Sequence, residues 1–170
     1  TPSCPAGDHA RGVPPPEGHC IMAIIGTVGA VLAHKGSEVY SVPPHLMVYD
    51  AMQFMADKNI GAVLVIKDNR LIGILSERDY TRRVVLKGKP PHQTPVADIM
   101  STGITTVTQN DTVDECMRIM TEKRVRHLPV VEGGQVVGII SIGNLVNWII
   151  SVQESTIDQL QSYIMGGHSG

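Results

Sequence analysis

Hydrophobic and polar positions alternate along the chain in a pattern that appears twice. Apolar residues at positions 48, 51, 52 and 55, and again at 113, 116, 117 and 120, follow the spacing of a helix with one buried face. Two short apolar runs follow each helix, joined by the polar segment Lys67–Arg70 in the first case and Glu132–Gln135 in the second. Each pair of runs predicts a β-hairpin.

The two patterns form an internal repeat with an offset of 65 residues and no gap. Between residues 48–83 and 113–148, eight of 36 positions are identical. A short β-rich segment, Glu38–Val42 or Ile104–Thr108, precedes each helix, and a second helix is predicted to begin near Ser76 or Ser141. Each copy therefore predicts the order β-α-β-β-α, and the matched register indicates a duplication.

The repeat divides the chain into four segments. Residues 1–26 are predicted to be an irregular tail, not necessarily native, since five of the eleven prolines fall within the first 18 residues. Residues 27–88 form the first repeat with a leading helix that includes Thr27–Leu32 and stops at Gly36. Residues 89–101 are a linker, and residues 102–170 form the second repeat with one or two C-terminal helices. The apolar surface of residues 145–164 exceeds what one small module covers, which predicts a homodimer through the helices.

Composition excludes several classes of function. The chain has 170 residues, a net charge of −2 and six aromatic residues, which argues against nucleic acid as a partner. No apolar run approaches the roughly 18 residues of a membrane span. The 3 cysteines lack CxxC spacing, so neither a disulfide framework nor a metal site is expected, and a reducing intracellular compartment is favoured. No nucleophile, general base or paired-carboxylate set has a spacing that supports catalysis, so the protein is not expected to be an enzyme.

Ser76 and Asp79 are the first candidate binding residues. Ser76 ends a predicted strand, and Asp79 lies in the first turn of the next helix, where unpaired N–H groups favour phosphate. The Ser76 hydroxyl would add a donor to that phosphate, and the Asp79 carboxylate would accept hydrogen bonds from the two hydroxyls of a ribose. The alternative from local sequence is that Ser76 caps the helix and Asp79 is an ordinary first-turn acid.

The motifs within the repeats are similar to those of a known family. Gly-Ile-Leu-Ser-Glu-Arg-Asp at 73–79, Gly-Ile-Ile-Ser-Ile-Gly-Asn at 138–144 and the segment 125–131 resemble a CBS-domain pair over about residues 27–165. The resemblance implies an α/β fold of tandem β-α-β-β-α repeats with pseudo-two-fold symmetry, the Bateman module. It also implies an adenine nucleotide in the cleft between the repeats, with AMP preferred to ADP, ATP or NAD(H), and no required cofactor. The likeness is to stand-alone CBS proteins of bacteria and plant organelles, so the cytoplasm, the mitochondrial matrix or a plastid is expected.

The resemblance also implies two ligand slots, although the alternative for most of their residues is plain core. The slot beside Asp79 would be built by Ile74, Ser76, Arg78, Ile104, Thr105, Val125, Arg126 and His127. The slot beside Asn144 would be built by Val39, Tyr40, Ile60, Gly61, Ala62, Ile139 and Ser141. Further phosphate-binding charge would come from Arg82, Arg83 and Arg124, and the alternative for Arg82 and Arg83 is a solvated basic face. Because Asn144 has no charge and one acceptor oxygen fewer than aspartate, its slot is expected to bind more weakly, to prefer another ligand or to be empty.

Two functions follow as hypotheses. The first is a non-enzymatic sensor in which an adenine nucleotide changes the geometry of the module and so acts on a partner. The second is a ligand-independent interaction module that regulates an enzyme or a thioredoxin-like protein.

Overall fold

The computed structural model describes residues 26–166, so all of the predicted tail except Gly26 lies outside the described residues. Helix α1 (Val28–Lys35) leads into the first repeat. That repeat contains β1 (Ser41–Val42), α2 (Val48–Lys58), β2 (Ala62–Lys67), β3 (Arg70–Ser76) and α3 (Glu77–Tyr80), which continues as a π-helical turn over Thr81–Val85. A 3₁₀ turn at Val96–Asp98 leads to the second repeat. That repeat contains α4 (Val113–Lys123), β4 (His127–Glu132), β5 (Gln135–Ser141) and α5 (Ile142–Gly166). The mixed α/β class and the two predicted repeats are confirmed.

The sheets repeat the same pairing. Strand β1 lies parallel to β2, β2 is antiparallel to β3, and β4 is antiparallel to β5. Both hairpins shift register in the same place, between Val65 and Ile66 and between Val130 and Val131, which are 65 residues apart. Their turns, at Asp68–Asn69 and Gly133–Gly134, have positive φ at both residues, as two-residue hairpins require.

The prediction of a β-rich segment at Ile104–Thr108 is wrong, since only an isolated parallel bridge between Val107 and Val130 forms there. In the first repeat the Leu64 N–H donates to the Tyr40 carbonyl and extends the pairing. The equivalent of Leu64 in the second repeat is Pro129, which has no N–H to donate. One proline therefore reduces the first strand of the second repeat to a single bridge.

The helix ends agree with the local sequence. Helix α1 begins after Thr27, whose side chain accepts from the Ala30 N–H, and ends at Gly36. Helix α4 begins after Thr112, which accepts from the Glu115 N–H. The predicted position of α1 and its stop at Gly36 are confirmed. Helix α5 is one helix of 25 residues. Among residues 26–166, no helix is both long and apolar enough to cross a membrane.

Each repeat has its own core, and each core is completed by a segment that precedes the other repeat in the chain. Helix α1 comes before the first repeat in the chain, yet Val28, Val31 and Leu32 are buried with the core of the second repeat. The predicted linker contributes Val96 and Ile99 to the core of the first repeat. The leading helix and the linker are therefore structural parts of the repeats that they pack against.

Two equivalent glycines allow this exchange. A Cβ at Gly138 in β5 would lie 2.8 Å from Leu32 Cδ2 of α1. A Cβ at Gly73 in β3 would overlap the Met100 side chain, which follows the 3₁₀ turn. The absence of a side chain at Gly138 leaves space for α1, and its absence at Gly73 leaves space for the segment after the 3₁₀ turn. Close packing therefore explains why both repeats have glycine at this position of the second hairpin strand.

Candidate functional site

A cavity of about 410 Å³ lies between the two repeats. One wall comes from the end of β3 and from α3, a second from the segment after the 3₁₀ turn, and a third from the connection between α4 and β4. The lining residues are Ile74, Ser76, Arg78, Asp79, Arg82, Arg83, Ser101, Gly103, Ile104, Thr105, Arg124, Val125, Arg126, His127 and Pro129. Apolar side chains therefore lie beside five arginines and one carboxylate.

Ser76 and Asp79 form a capping box at the start of α3. Asp79 Oδ2 accepts from the Ser76 backbone N–H at 3.0 Å and from the Ser76 hydroxyl at 2.6 Å. The Ser76 Oγ in turn accepts from the Asp79 N–H at 3.3 Å. The alternative role predicted for this pair is thus present. Without a ligand the Ser76 hydroxyl donates to Asp79, and its role as a phosphate donor stays a prediction.

The second carboxylate oxygen of Asp79 contacts the other wall of the cavity. Asp79 Oδ1 accepts from the Ser101 hydroxyl at 3.0 Å and lies 3.8 Å from Arg83 Nε. The Asp79 side chain is 15% exposed, so it can be reached from the cavity while its contacts hold it in place. Arg83 also donates to the carbonyls of Ile99 and Met100 at 2.8 and 2.9 Å.

Arg78 spans the seam between the repeats. Its Nη1 donates at 3.2 Å to the carbonyl of Arg124, the left-handed residue that ends α4. The two arginines come from opposite repeats, so this hydrogen bond links α3 of the first repeat to the end of α4 in the second. The cationic wall of the cavity is thereby built from both copies.

A smaller cavity of about 280 Å³ occupies the equivalent place. Its lining residues are Lys35, Gly36, Glu38, Tyr40, Asn59, Ile60, Gly61, Ala62, His127, Ile139, Ser141 and Asn144. Asn144 repeats the capping arrangement, because its Oδ1 accepts from the Ser141 N–H at 2.8 Å and its N–H donates to Ser141 Oγ at 3.2 Å. The Tyr40 hydroxyl donates to Glu38 at 2.9 Å.

The structure brings all but one of the predicted site residues to the two cavities. Every residue predicted beside Asp79 lines the larger cavity, and those predicted beside Asn144 line the smaller one except Val39, which is not in its lining. The sequence argument missed Ser101, although the repeat offset pairs it with Gly36 of the smaller cavity. Within residues 26–166, no group of three or more metal-binding side chains is present.

His127 lines both cavities. It begins β4 at the seam, and its ring occupies the space beside Gly61, 3.7 Å from where a Cβ there would lie. Burial lowers the pKa of His127 from its ordinary value of 6.5, and the neighbouring Arg126 cation lowers the pKa further.

Acidification is expected to destabilise the protein through His127. Above pH 6.5 the imidazole is neutral in both states and contributes nothing. As pH falls below that value the unfolded state binds a proton that the folded state excludes, so the free energy of unfolding drops by at most about 1.4 kcal/mol per pH unit until the folded pKa is reached. Urea unfolding of wild type and His127→Gln from pH 7.5 to 5.0 measures this pH dependence of the free energy of unfolding. A difference in stability between the two proteins that does not change with pH would contradict the prediction.

Two homologous halves with a polar-and-apolar cavity at their seam define a tandem-repeat module. The family model described as "CBS domain" matches the chain twice, over residues 29–86 and 96–151. The chain belongs to the CBS-domain family and forms a CBS pair, a regulatory module.

Similar proteins carry the same domains. The chain is 36% identical over 126 residues to the CBS domain-containing protein CBSX3, mitochondrial, of Arabidopsis thaliana, a match that covers 71% of this chain and 61% of that protein. It therefore spans about three fifths of that relative's length. The solved CBS domain structure NE2398 is 48% identical, with a TM-score of 0.71, and the match covers 73% of this chain and 97% of that one. A structure of the CBS domain pair of protein MJ0100, in complex with 5′-methylthioadenosine and S-adenosyl-L-methionine, shares the fold at a TM-score of 0.64 and 19% identity, over 71% of this chain and 93% of that one.

Proposed function

We propose that the protein is a non-catalytic regulatory module that binds an adenine nucleotide in its larger cavity and passes this signal to a partner. The observation that carries the proposal is the contrast in charge between the two cavities. The larger cavity has five arginines and Asp79 around an apolar slot, whereas Lys35 and Glu38 balance each other in the smaller one. The volume of the larger cavity, about 410 Å³, is within the range of small-molecule sites, about 300–1,000 Å³.

The contrast is built into the sequence position by position. The equivalents of Arg78, Asp79, Arg82 and Arg83 in the second repeat are Gly143, Asn144, Asn147 and Trp148, and those of Arg124 and Arg126 in the first are Asn59 and Gly61. Every charged group of the larger cavity thus has an uncharged counterpart. Guanidinium groups bind phosphate oxygens bidentately, so the larger cavity is the better site for a phosphorylated ligand.

The slot beside Asp79 suits a nucleoside. Ile74, Ile104 and Val125 offer apolar faces for a base, and Asp79 lies next to them with its carboxylate partly exposed. The fold neighbour MJ0100, whose structure holds two adenosine compounds, supports adenosine as the nucleoside. AMP is the first candidate, and NAD(H) is the second.

The contacts of Asp79 suggest how a bound ribose would act on the rest of the module. Its carboxylate has about four acceptor positions and already receives three hydrogen bonds. Two ribose hydroxyls would therefore compete with the Ser101 hydroxyl, the donor that lies outside the capping box. Loss of that hydrogen bond would remove one of the links between α3 and the segment that follows the 3₁₀ turn, while the Ser101 backbone stays paired with Ile74 of β3. The structure without this link is the state that the ligand would favour.

Thermal unfolding with AMP, ATP, NADH and S-adenosylmethionine tests the proposal. A ligand present at about 100 times its dissociation constant should stabilise the fold by roughly 2.7 kcal/mol. Ribose 5-phosphate and pyrophosphate serve as controls for simple anion binding to the arginines. Arg126→Gln should weaken binding, while Arg70→Gln, an exposed change at the start of β3, should leave it unchanged.

The alternative is a ligand-independent module that regulates an enzyme or a thioredoxin-like partner. It is favoured by the capping box, which gives Asp79 a structural role without any ligand. If none of the adenosine compounds raises the unfolding temperature, the sensor is excluded and this alternative takes its place.

A further inference from the structure

The His127 ring borders both cavities and makes no hydrogen bond of its own. Among residues 26–166, it is the only residue that lines the larger and the smaller cavity. Within the same part of the chain, neither of its ring nitrogens has a hydrogen-bond partner. Its backbone is paired with Ser141 in the β4–β5 hairpin, which fixes the position of the residue at the seam. The ring nitrogens are therefore available to a ligand.

The larger cavity places an excess of positive charge beside this ring. Its charged groups are Arg78, Asp79, Arg82, Arg83, Arg124 and Arg126. Only Arg83 lies near the carboxylate of Asp79, so four guanidinium groups have no acidic partner in the described part of the chain. A proton on His127 would add a further positive charge to this set. Burial, and then the Arg126 cation, lower the pKa of His127, so the ring of the empty protein is neutral at neutral pH.

The smaller cavity adds little net charge on the other side of the ring. Lys35 and Glu38 balance each other, and the hydroxyl of Tyr40 keeps its proton and donates it to Glu38. A Cβ at Gly61 would lie 3.7 Å from His127 Nε2 and 4.0 Å from Glu77 Oε2, so one further carboxylate is near. Glu77 is exposed, and solvent and salt screen its charge. Burial and the arginines therefore decide the protonation state of the ring.

We infer that a phosphate-bearing ligand takes up a proton at His127 when it binds in the larger cavity. This inference rests on the proposed function and describes how the same site is regulated. The phosphate oxygens neutralise the arginine charge that keeps the ring deprotonated, and the imidazolium offers them an additional N–H donor. The proton comes from the solvent, and no bond of the ligand breaks.

Proton uptake makes the module respond to pH as well as to nucleotide. Linkage between two ligands is reciprocal, so a proton on His127 strengthens the binding of the phosphate as much as the phosphate strengthens the binding of the proton. The affinity then rises as the pH falls, by at most tenfold per pH unit for one proton. A nucleotide thus offsets the loss of stability that acidification causes through His127 in the empty protein.

Isothermal titration calorimetry with AMP at pH 6.5, in two buffers of different ionisation enthalpy, counts the protons taken up. Wild type should take up more protons per AMP than His127→Gln does, with a difference of up to one. Lowering the pH from 8.0 to 6.0 should strengthen AMP binding at least about threefold more in wild type than in this variant. The phosphate of AMP also titrates near pH 6, but that contribution is common to both proteins.

Two controls separate His127 from other titrating groups. His45→Gln makes the same change at an exposed histidine outside both cavities, so this variant should take up as many protons as wild type. NAD⁺ is the second probe, because its pyrophosphate does not titrate in this pH range. Equal proton uptake by wild type and His127→Gln would overturn the inference and leave the proposed function standing. If neither AMP nor NAD⁺ binds to wild type, the proposed function fails, and this inference fails with it.

Nuclear magnetic resonance measures the same proton without relying on binding by a variant. The signal of the His127 Cε1 hydrogen is identified by its absence from the spectrum of His127→Gln. In wild type, the pH midpoint of this signal should be higher in the presence of saturating AMP than in its absence. An unchanged or lower midpoint would contradict proton uptake at this ring.

Discussion

Gly138→Val is expected to lower the free energy of unfolding by about 1–3 kcal/mol, the range for an overpacked core. A Cβ at this position lies 2.8 Å from Leu32 Cδ2 and 2.9 Å from its Cδ1, and Leu32 is only 5% exposed. The branched side chain of Leu32 extends from α1 into the core of the second repeat, so it has little room to move away. Urea unfolding monitored by the fluorescence of Trp148 and by circular dichroism measures the loss.

A double-mutant cycle with Leu32→Ala separates the clash from other effects of the valine. Leu32→Ala alone should cost about 2–5 kcal/mol because it leaves a cavity in the core. In the double variant the valine side chain enters that cavity, so the combined loss should be smaller than the sum of the two single losses. Strict additivity would show that α1 does not pack on β5 as described.

Asp79→Ala is expected to remove most of the stabilisation that an adenine nucleotide gives. Hydrogen bonds to a charged group contribute about 1.5–3 kcal/mol, which corresponds to a loss of affinity of roughly 10- to 150-fold. The same change also removes the hydrogen bonds that the carboxylate accepts in the capping box, while Ser76 Oγ can still accept from the N–H of residue 79, and each lost bond should cost about 0.5–1.5 kcal/mol of stability in the absence of ligand. Isothermal titration calorimetry on the folded variant measures the affinity apart from this loss.

Asp79→Asn is the matched control, because the second repeat shows that asparagine preserves the cap. Asn144 Oδ1 accepts from the Ser141 N–H, as Asp79 accepts from that of Ser76. The variant should therefore keep nearly all of the stability and lose affinity, although less than the alanine variant does. If both variants bind nucleotide as well as wild type, the ligand lies elsewhere and the role proposed for Asp79 is wrong.

The sequence predicts the elements of the fold wherever local patterning decides them. Two helices with the same apolar spacing, two hairpins with their turn residues and the stop of α1 at Gly36 all form as predicted. The error at Ile104–Thr108 arose because a run of β-branched residues indicates a strand, whereas the strand also needs a donor on its neighbour, which Pro129 lacks. The exchange of α1 onto the second repeat depends on contacts distant in the chain, which periodicity does not report.

The sequence is enough to locate the candidate site. The hydrogen bonds between the residues of the site could not be predicted from it. The repeat offset and the motif around Ser76 lead to residues that do line two cavities. The Ser101 hydroxyl on Asp79 connects residues 22 positions apart, and the carbonyls bound by Arg83 belong to an irregular segment. Such contacts depend on the path of the linker, for which no periodic signal exists.

The exchanged packing of α1 also sets the order in which the chain can complete its structure during synthesis. Leu32 leaves the ribosome 106 residues before Gly138, the position in β5 against which it packs. At a rate of synthesis of about 5–20 residues per second, roughly 5–20 s pass between the synthesis of α1 and that of β5, on which its apolar face packs. The core of the first repeat, by contrast, is covered by the segment Val96–Met100, which directly follows that repeat in the chain. The apolar face of α1 therefore stays uncovered until β5 has been made, and the core of the second repeat is completed after that of the first.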